Sequence, residues 1–147
     1  MDGLTGSIRI DASVEEVFEY VDDWRNPTKF MRGLGRWEPV DPGRDRGVGA
    51  RFTVILKAGP VNLNGEIEVT EHEPPRRLAY RSVAGIKLAG TWNFSADGDG
   101  SLIELTNTFE LPGGIPGRVL RKVVQSQGQR DLVASLAELK RLVETGG

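Results

Sequence analysis

His72 is the only histidine of the chain, and histidine is the side chain best suited to proton transfer near neutral pH. Its neighbours, Glu71 and the pair Pro74-Pro75, predict the end of a strand that enters a turn. We therefore expect His72 to lie far from any interior cavity and not to be catalytic. A single histidine without cysteine also excludes disulfides, thiolate nucleophiles and a histidine cluster for zinc. We expect no metal, no cofactor and no catalytic residue of these kinds.

Carboxylates and arginines are numerous. In the predicted strands, however, their positions alternate with those of the apolar residues, so they are expected on the outer face of the sheet. The predicted outward positions are Glu66, Glu68, Glu104, Glu110, Arg51 and Arg81. Paired-carboxylate catalysis needs two such groups that converge in a cleft, and no such pair is evident. The segment GGIPG at 113–117 lacks the Lys-Ser/Thr of a phosphate-binding loop, and it is expected to end a strand and form a flexible lip. Whether the chain is an enzyme therefore stays open.

Three polar residues are predicted to point inward. Asn107 lies between Leu105 and Phe109 in an alternating strand, and Tyr80 is on the apolar side of its own strand. Gln125 comes from the C-terminal helix. The backbone or water can satisfy such groups, but a mostly apolar pocket with a few placed polar groups is also typical of small-molecule sites. We therefore predict that Tyr80, Asn107 and Gln125 orient a ligand.

The apolar wall of the predicted site comes from inward positions of the strands and the helix. The predicted ligand-binding residues, besides those three, are Phe30, Phe52, Val54, Ile67, Leu88, Trp92, Leu105, Val124, Gly128 and Leu132. Gly65, Gly90 and Gly128 each remove a side chain from an inward position, which favours a cavity over a filled core. The alternative is that these residues fill the core without a void. Trp24, Phe30 and Met31 are expected at the mouth.

The elements that position these residues follow from the hydrophobic periodicity. Ser13 and Glu16 form an S-x-x-E capping box before a helix with Val14, Val17, Phe18 and Val21 on one face. From Leu34 the period becomes two, with strands over Val48–Lys57, Val61–Thr70, Leu78–Arg81, Lys87–Phe94 and Ile103–Glu110. Short turns without intervening helices predict an antiparallel meander. A helical pattern over 118–144 closes an α+β domain.

The long C-terminal helix carries two apolar stripes that do not line up. Leu132, Leu136 and Leu139 belong to the second, and a polar run with Gly128 separates it from the first. The helix is therefore expected to kink near Gly128 or to change its packing partner there. We predict that 132–143 clamps on the sheet, while 121–128 stands off it and roofs the cavity.

The bulk properties indicate one ordinary globular domain over residues 1–147. The net charge of −2 gives no electrostatic reason to expect nucleic acid as a partner. No apolar run approaches the ~20 residues of a membrane span, and no secretory signal is visible, so we expect no stable membrane insertion. The lack of cysteine is compatible with the cytoplasm, where we expect the protein. The oligomeric state is left open.

Five motifs in order extend over nearly the whole chain. They are DASVEEVFEYVDD at 11–23, GVGARF at 47–52, EVTEHEPPRRLAYR at 68–81, GTWNFSADGDGSLIELTNTFE at 90–110, and LAELKRLVE at the end of the last helix. Together they resemble the START-like (SRPBCC, helix-grip) superfamily, particularly its bacterial polyketide cyclase/dehydrase and lipid-transport branch. The resemblance implies a seven-stranded curved antiparallel sheet, two short helices, and a long C-terminal helix that encloses a cavity.

The resemblance leaves three functions open, because one fold serves many activities. The first is the binding or carrying of a hydrophobic or aromatic small molecule, lipid-like or polyketide-like. The second is an enzyme of the cyclase/dehydrase type that positions a reactive chain with few catalytic groups. The third is a protein-interaction module like the chaperone-associated members, which would need an exposed apolar patch.

Overall fold

A computed structural model describes residues 2–58, 61–110 and 118–146. Within these ranges seven strands form one antiparallel sheet in the order β1-β7-β6-β5-β4-β3-β2. The strands are β1 (Asp2–Ile10), β2 (Leu34–Pro39), β3 (Arg51–Ala58), β4 (Val61–Glu73), β5 (Arg77–Gly85), β6 (Lys87–Asp97) and β7 (Gly100–Glu110). The helices are α1 (Val14–Asp22), α2 (Pro27–Phe30) and α3 (Arg118–Glu144). Strands β3 to β7 follow one another as a meander, as predicted.

The two short helices connect β1 to β2. Ser13 caps α1, because its Oγ accepts a hydrogen bond of 3.2 Å from the backbone N–H of Glu16. Val17, Phe18 and Val21 form its buried face, as their spacing predicts. Pro27 begins α2, where its missing N–H costs no helical hydrogen bond. Both helices therefore begin where the sequence supplies the appropriate residue.

The strands mostly bury alternate residues, although Ala79 of β5 is buried together with its neighbours Leu78 and Tyr80. Phe52 and Val54 of β3 are buried, as are Leu78 and Tyr80 of β5. Val48 was predicted to continue the apolar face of β3, and this is wrong: it is 63% exposed, and β3 begins only at Arg51. Gly47 and Gly49 flank it with φ of +87° and +93°, which breaks the extended backbone and turns Val48 outward.

Helix α3 is one continuous element through Gly128 and packs chiefly against β1. Its second half buries the predicted stripe, with Leu132, Leu136, Leu139 and Val143 at most 7% exposed. The close approach depends on glycines. A Cβ on Gly6 of β1 would lie 2.8 Å from Leu132, and one on Gly128 would lie 2.9 Å from Leu4. The predicted clamp by the second half of the helix is therefore confirmed.

Candidate functional site

A cavity of about 220 Å³ lies between the sheet and the helices α2 and α3. Its walls come from β3 to β7 on one side, and from Phe30, Met31, Leu132 and their neighbours on the other. An apolar cavity of ~150 Å³ is enough for a benzene molecule, and pockets for drug-sized ligands measure ~300–1,000 Å³. The volume of the cavity lies between these two values, so it suits a ligand larger than benzene and smaller than a typical drug molecule.

Aromatic rings make up much of the wall. Trp37 stacks on Phe52 with 5.3 Å between the ring centroids, and it meets the Tyr80 ring edge-on at 5.4 Å. Phe30 and Trp92 meet edge-on at 6.0 Å from the other side. All five residues line the cavity. Such mutual contacts between aromatic rings stabilise their arrangement on the wall.

A neutral hydrogen-bonded pair, Tyr80 and Asn107, interrupts the apolar wall. The Tyr80 hydroxyl donates a hydrogen bond of 3.0 Å to Asn107 Oδ1. Burial raises the pKa of Tyr80, so the phenol stays protonated at neutral pH. Within the described residues nothing accepts a hydrogen bond from Asn107 Nδ2, and that atom is not fully enclosed. The pair therefore leaves the Nδ2 donor available to a ligand.

The structure brings most of the predicted ligand-binding residues to the cavity. Those on the wall are Phe30, Phe52, Val54, Tyr80, Leu88, Trp92, Asn107, Gly128 and Leu132. Their contact with a ligand stays a prediction. Ile67 and Leu105 are fully buried, but they lie in the packed core instead of on the wall. The side chain of Val124 is outside the described part of the chain, as is the predicted lip at 113–117.

Gln125 does not occupy the place predicted for it. The prediction extended the apolar stripe of α3 backwards by one turn, but the Gln125 side chain is exposed and is not on the cavity wall. Its neighbours Ser126 and Gln127 are exposed as well. At Gly128 the helix contacts Leu4 of β1, and Gln125, three residues earlier, lies about 60° further around the helix and faces away from the sheet. Periodicity alone did not indicate where the buried face of the helix ends.

The inward glycines do not open the cavity, contrary to the prediction. A Cβ on Gly90 would lie 2.4 Å from the Tyr80 hydroxyl and 2.6 Å from Asn107 Oδ1, so this glycine makes room for that pair. A neighbouring side chain likewise covers each of the others, Ile86 over Gly65 and Leu4 over Gly128. The glycines thus permit close packing, and the space lies between the aromatic rings and α3.

Among the described residues, four of α3 line the cavity: Gly128, Asp131, Leu132 and Ser135. Of the predicted roof over 121–128, Gly128 is thus on the wall, whereas the side chains of 121, 123 and 124 lie outside the described part of the chain. Ser135 is completely buried; its Oγ accepts a hydrogen bond of 2.8 Å from the Arg32 backbone N–H and donates one of 2.6 Å to the Asp131 carbonyl. Ser135 therefore fixes the segment after α2 against the clamped half of α3.

His72 is closer to the cavity than its place before a turn suggested. Its Nε2 lies 2.9 Å from Asp22 Oδ2, and its side chain is 16% exposed. Asp22 lies on the cavity wall, and so does Arg46, whose Nε is 3.3 Å from the same carboxylate oxygen. The prediction of a distant His72 is thus wrong, because α1 folds back over this end of β4. No local sequence signal pairs residues that are fifty positions apart.

The sequence reasoning also missed several residues of the cavity wall. Trp37 is the largest, and it stands in the short edge strand β2 between Arg36 and Glu38. That alternation was the signal that could have found it. The exposed residues Arg32, Arg46 and Lys57 also lie on the wall, so the cavity reaches the surface beside them. Of the predicted mouth residues, Phe30 and Met31 line the cavity, whereas Trp24 does not.

The described residues contain neither a cluster of potential metal ligands nor a helix suited to cross a membrane. Residues 2–58, 61–110 and 118–146 hold no group of three or more potential metal ligands. No helix in these ranges is both long and apolar enough to cross a membrane.

Comparison with known families gives a match over nearly the whole chain. The model described as "Polyketide cyclase / dehydrase and lipid transport" matches residues 1–144. No curated protein matches the sequence significantly. The motif-based resemblance to the START-like superfamily is confirmed by this match.

Solved structures agree on the fold. TTHA0849 from Thermus thermophilus superposes with a TM-score of 0.84 at 25% identity, and 99% of each chain is covered. The Zhui aromatase/cyclase from Streptomyces sp. R1128 gives a TM-score of 0.78 at 15% identity, with 97% of this chain and 93% of that chain covered. A START superfamily protein from Mycobacterium smegmatis gives 0.76 at 13% identity, with 99% of each chain covered. The fold is therefore the START-like helix-grip fold.

Proposed function

The chain belongs to the polyketide cyclase/dehydrase and lipid transport family, and from this premise we propose that it binds or carries a small hydrophobic or aromatic molecule. The observation that carries the proposal is the cavity itself. It is enclosed by aromatic and aliphatic side chains, and Asn107 Nδ2 is a free hydrogen-bond donor on its wall. Such a site supplies apolar burial for the body of a ligand and one oriented contact for a polar atom.

The volume restricts the size of the ligand. At about 220 Å³ the cavity exceeds the ~150 Å³ that accepts benzene, so a bicyclic aromatic or a short branched chain fits best. A ligand that buries ~200 Å² of apolar surface gains roughly 5 kcal/mol before the costs of association. Burial is thus the main source of affinity in this proposal.

The polar pair restricts the chemistry of the ligand. Asn107 Oδ1 already accepts a hydrogen bond from the Tyr80 hydroxyl. The Nδ2 group is therefore the part of this amide that can bind a ligand. An amide N–H donates and does not accept, so the matching ligand atom is an acceptor such as a ketone or ester oxygen. We therefore propose an apolar ring or chain that carries a carbonyl as the ligand class.

Intrinsic fluorescence can test this proposal, because Trp37 and Trp92 lie on the cavity wall. We expect 2-acetonaphthone, a bicyclic ketone, to change tryptophan emission saturably with one-to-one stoichiometry. Asn107→Asp keeps the acceptor for Tyr80 but removes the donor, so the affinity for the ketone is expected to fall ~5-fold or more. The affinity for naphthalene, which has no acceptor, should change little.

The matched control is Asn62→Asp, which makes the same change at an exposed position of β4. It should leave both affinities unchanged. If neither naphthalene nor the ketone binds to the wild-type protein, and no apolar molecule is recovered by mass spectrometry from the denatured protein, the proposed function is wrong.

A second candidate is an enzyme of the cyclase/dehydrase type. The observation in its favour is the same donor, because Asn107 Nδ2 could polarise a carbonyl while the rings hold a reactive chain in a bent conformation. In that case Asn107→Asp would lower turnover of a poly-β-ketone more than it weakens binding. An interaction module has less support, because the cavity is not filled by side chains.

A further inference from the structure

Asp22 is placed where a carboxylate is unfavourable. Its side chain is only 6% exposed, and burial disfavours a charged group. It is also the last residue of α1, and the partial negative charge of a helix C-terminus repels an anion. A fold that keeps a carboxylate at such a position has to hold it with other residues. The contacts of Asp22 show how this is done.

Two donors converge on one oxygen of Asp22. His72 Nε2 is 2.9 Å and Arg46 Nε is 3.3 Å from Oδ2, and Arg46 Nη1 also donates to Glu19 Oε1 at 2.9 Å. Phe18 packs edge-on against the His72 ring at 5.6 Å and limits its movement. His72 and Arg46 thus fix the carboxylate, and Asp22 and Arg46 both form part of the cavity wall.

The other oxygen of Asp22 has no donor among the described residues. Oδ1 makes no hydrogen bond with the described residues. It is also not completely shielded from solvent, so a further group can reach it. A carboxylate oxygen accepts hydrogen bonds strongly when it is ionised. Oδ1 is therefore an acceptor available at the part of the cavity wall that α1 forms.

We propose that Asp22 is a second polar anchor of the cavity and accepts a hydrogen bond from a hydroxyl group of the ligand. This inference rests on the proposed function and makes the ligand class more specific. Asn107 donates to a carbonyl beside Tyr80 on the sheet wall, and Asp22 accepts from a hydroxyl beside α1. The ligand is then a hydroxylated apolar ring system, such as a phenol, and not a plain hydrocarbon. His72 and Arg46 are positioning residues.

A pair of probes of nearly equal size isolates the hydroxyl. In the wild-type protein 2-naphthol should bind more tightly than 2-methylnaphthalene by ~10-fold, since hydrogen bonds to ionised groups are among the stronger ones. Asp22→Asn should reduce that preference by ~5-fold or more and leave the affinity for 2-methylnaphthalene within about twofold. Glu15→Gln changes an exposed carboxylate on the same helix and should preserve the preference.

The orientation of the bound naphthol gives a second measurement that needs no variant. Val21 lies next to Asp22 on α1 and lines the cavity, whereas Leu63 lines it from β4, nine residues and so ~30 Å from His72 along that strand. Intermolecular NOEs should join the ring protons beside the hydroxyl to the methyl groups of Val21. NOEs from those protons to Leu63 instead would overturn the assignment, even if Asp22→Asn fails to fold.

The outcomes separate the two proposals. Equal affinity for 2-naphthol and 2-methylnaphthalene in the wild-type protein overturns the Asp22 anchor and leaves the binding cavity intact. Failure of both probes to bind overturns the binding cavity, and the anchor with it. A hydroxyl preference that is lost with Asp22→Asn and kept with Glu15→Gln supports both.

Discussion

At the residue scale, strand alternation was enough to find Tyr80 and Asn107 but not their relation to each other. Both face the cavity as predicted, and the structure adds that they are bonded and that Gly90 makes room for them. Gln125 and His72 show the limit of this reasoning. Their environments depend on where the buried face of α3 ends and on how α1 folds back, and neither is encoded within a short window of sequence.

Tyr80→Phe tests the polar pair. The variant loses the hydrogen bond to Asn107 Oδ1, and it should be about 1 kcal/mol less stable near neutral pH in urea denaturation. Burial raises the pKa of Tyr80 in the folded protein, so above pH ~10 the unfolded chain loses this proton first and stability falls. Since the variant has no phenol proton to lose at this position, the stability difference should shrink as the pH rises beyond that value. A constant difference would contradict the buried state of the phenol.

At the scale of elements, periodicity predicted the strands, the capped α1 and the long α3, since each depends on local patterning. It did not place Asp131 and Ser135 of α3 on the cavity wall. Their position depends on the hydrogen bond from the Arg32 backbone to Ser135 and on the close approach of Gly128 to Leu4. Contacts between distant parts of the chain thus bring this part of α3 to the cavity.

Leu139→Ala tests whether the clamp and the cavity are separate functions of α3. Leu139 is completely buried but does not line the cavity, so the variant should lose ~2–5 kcal/mol of stability. Under conditions where it is folded, its affinity for naphthalene should match that of the wild-type protein. Val133→Ala, at a 56% exposed position on the same helix, should change stability by no more than ~0.5 kcal/mol. A parallel loss of affinity with Leu139→Ala would show that the whole helix shapes the site.

At the scale of the molecule, the fold could be predicted from the order of its motifs, and the family match and the solved structures agree with it. The contents of the cavity could not, because members of one fold differ in the few polar groups that face the ligand. For this chain we propose that those groups are Asn107 and Asp22, which both line the cavity. The central claim is that this cavity receives a small apolar ligand beside Asn107.

A ¹⁵N–¹H correlation spectrum recorded during titration with 2-acetonaphthone tests that claim most directly, because it reports the Asn107 side-chain amide and the tryptophan indoles separately. We expect saturable shifts of the Asn107 Nδ2 protons and of Trp37 and Trp92, which line the cavity. The indole of Trp24, which does not line it, should stay unchanged and serves as the internal control. An unchanged Asn107 amide at saturating ligand, or shifts confined to Trp24 and the surface, would contradict the account.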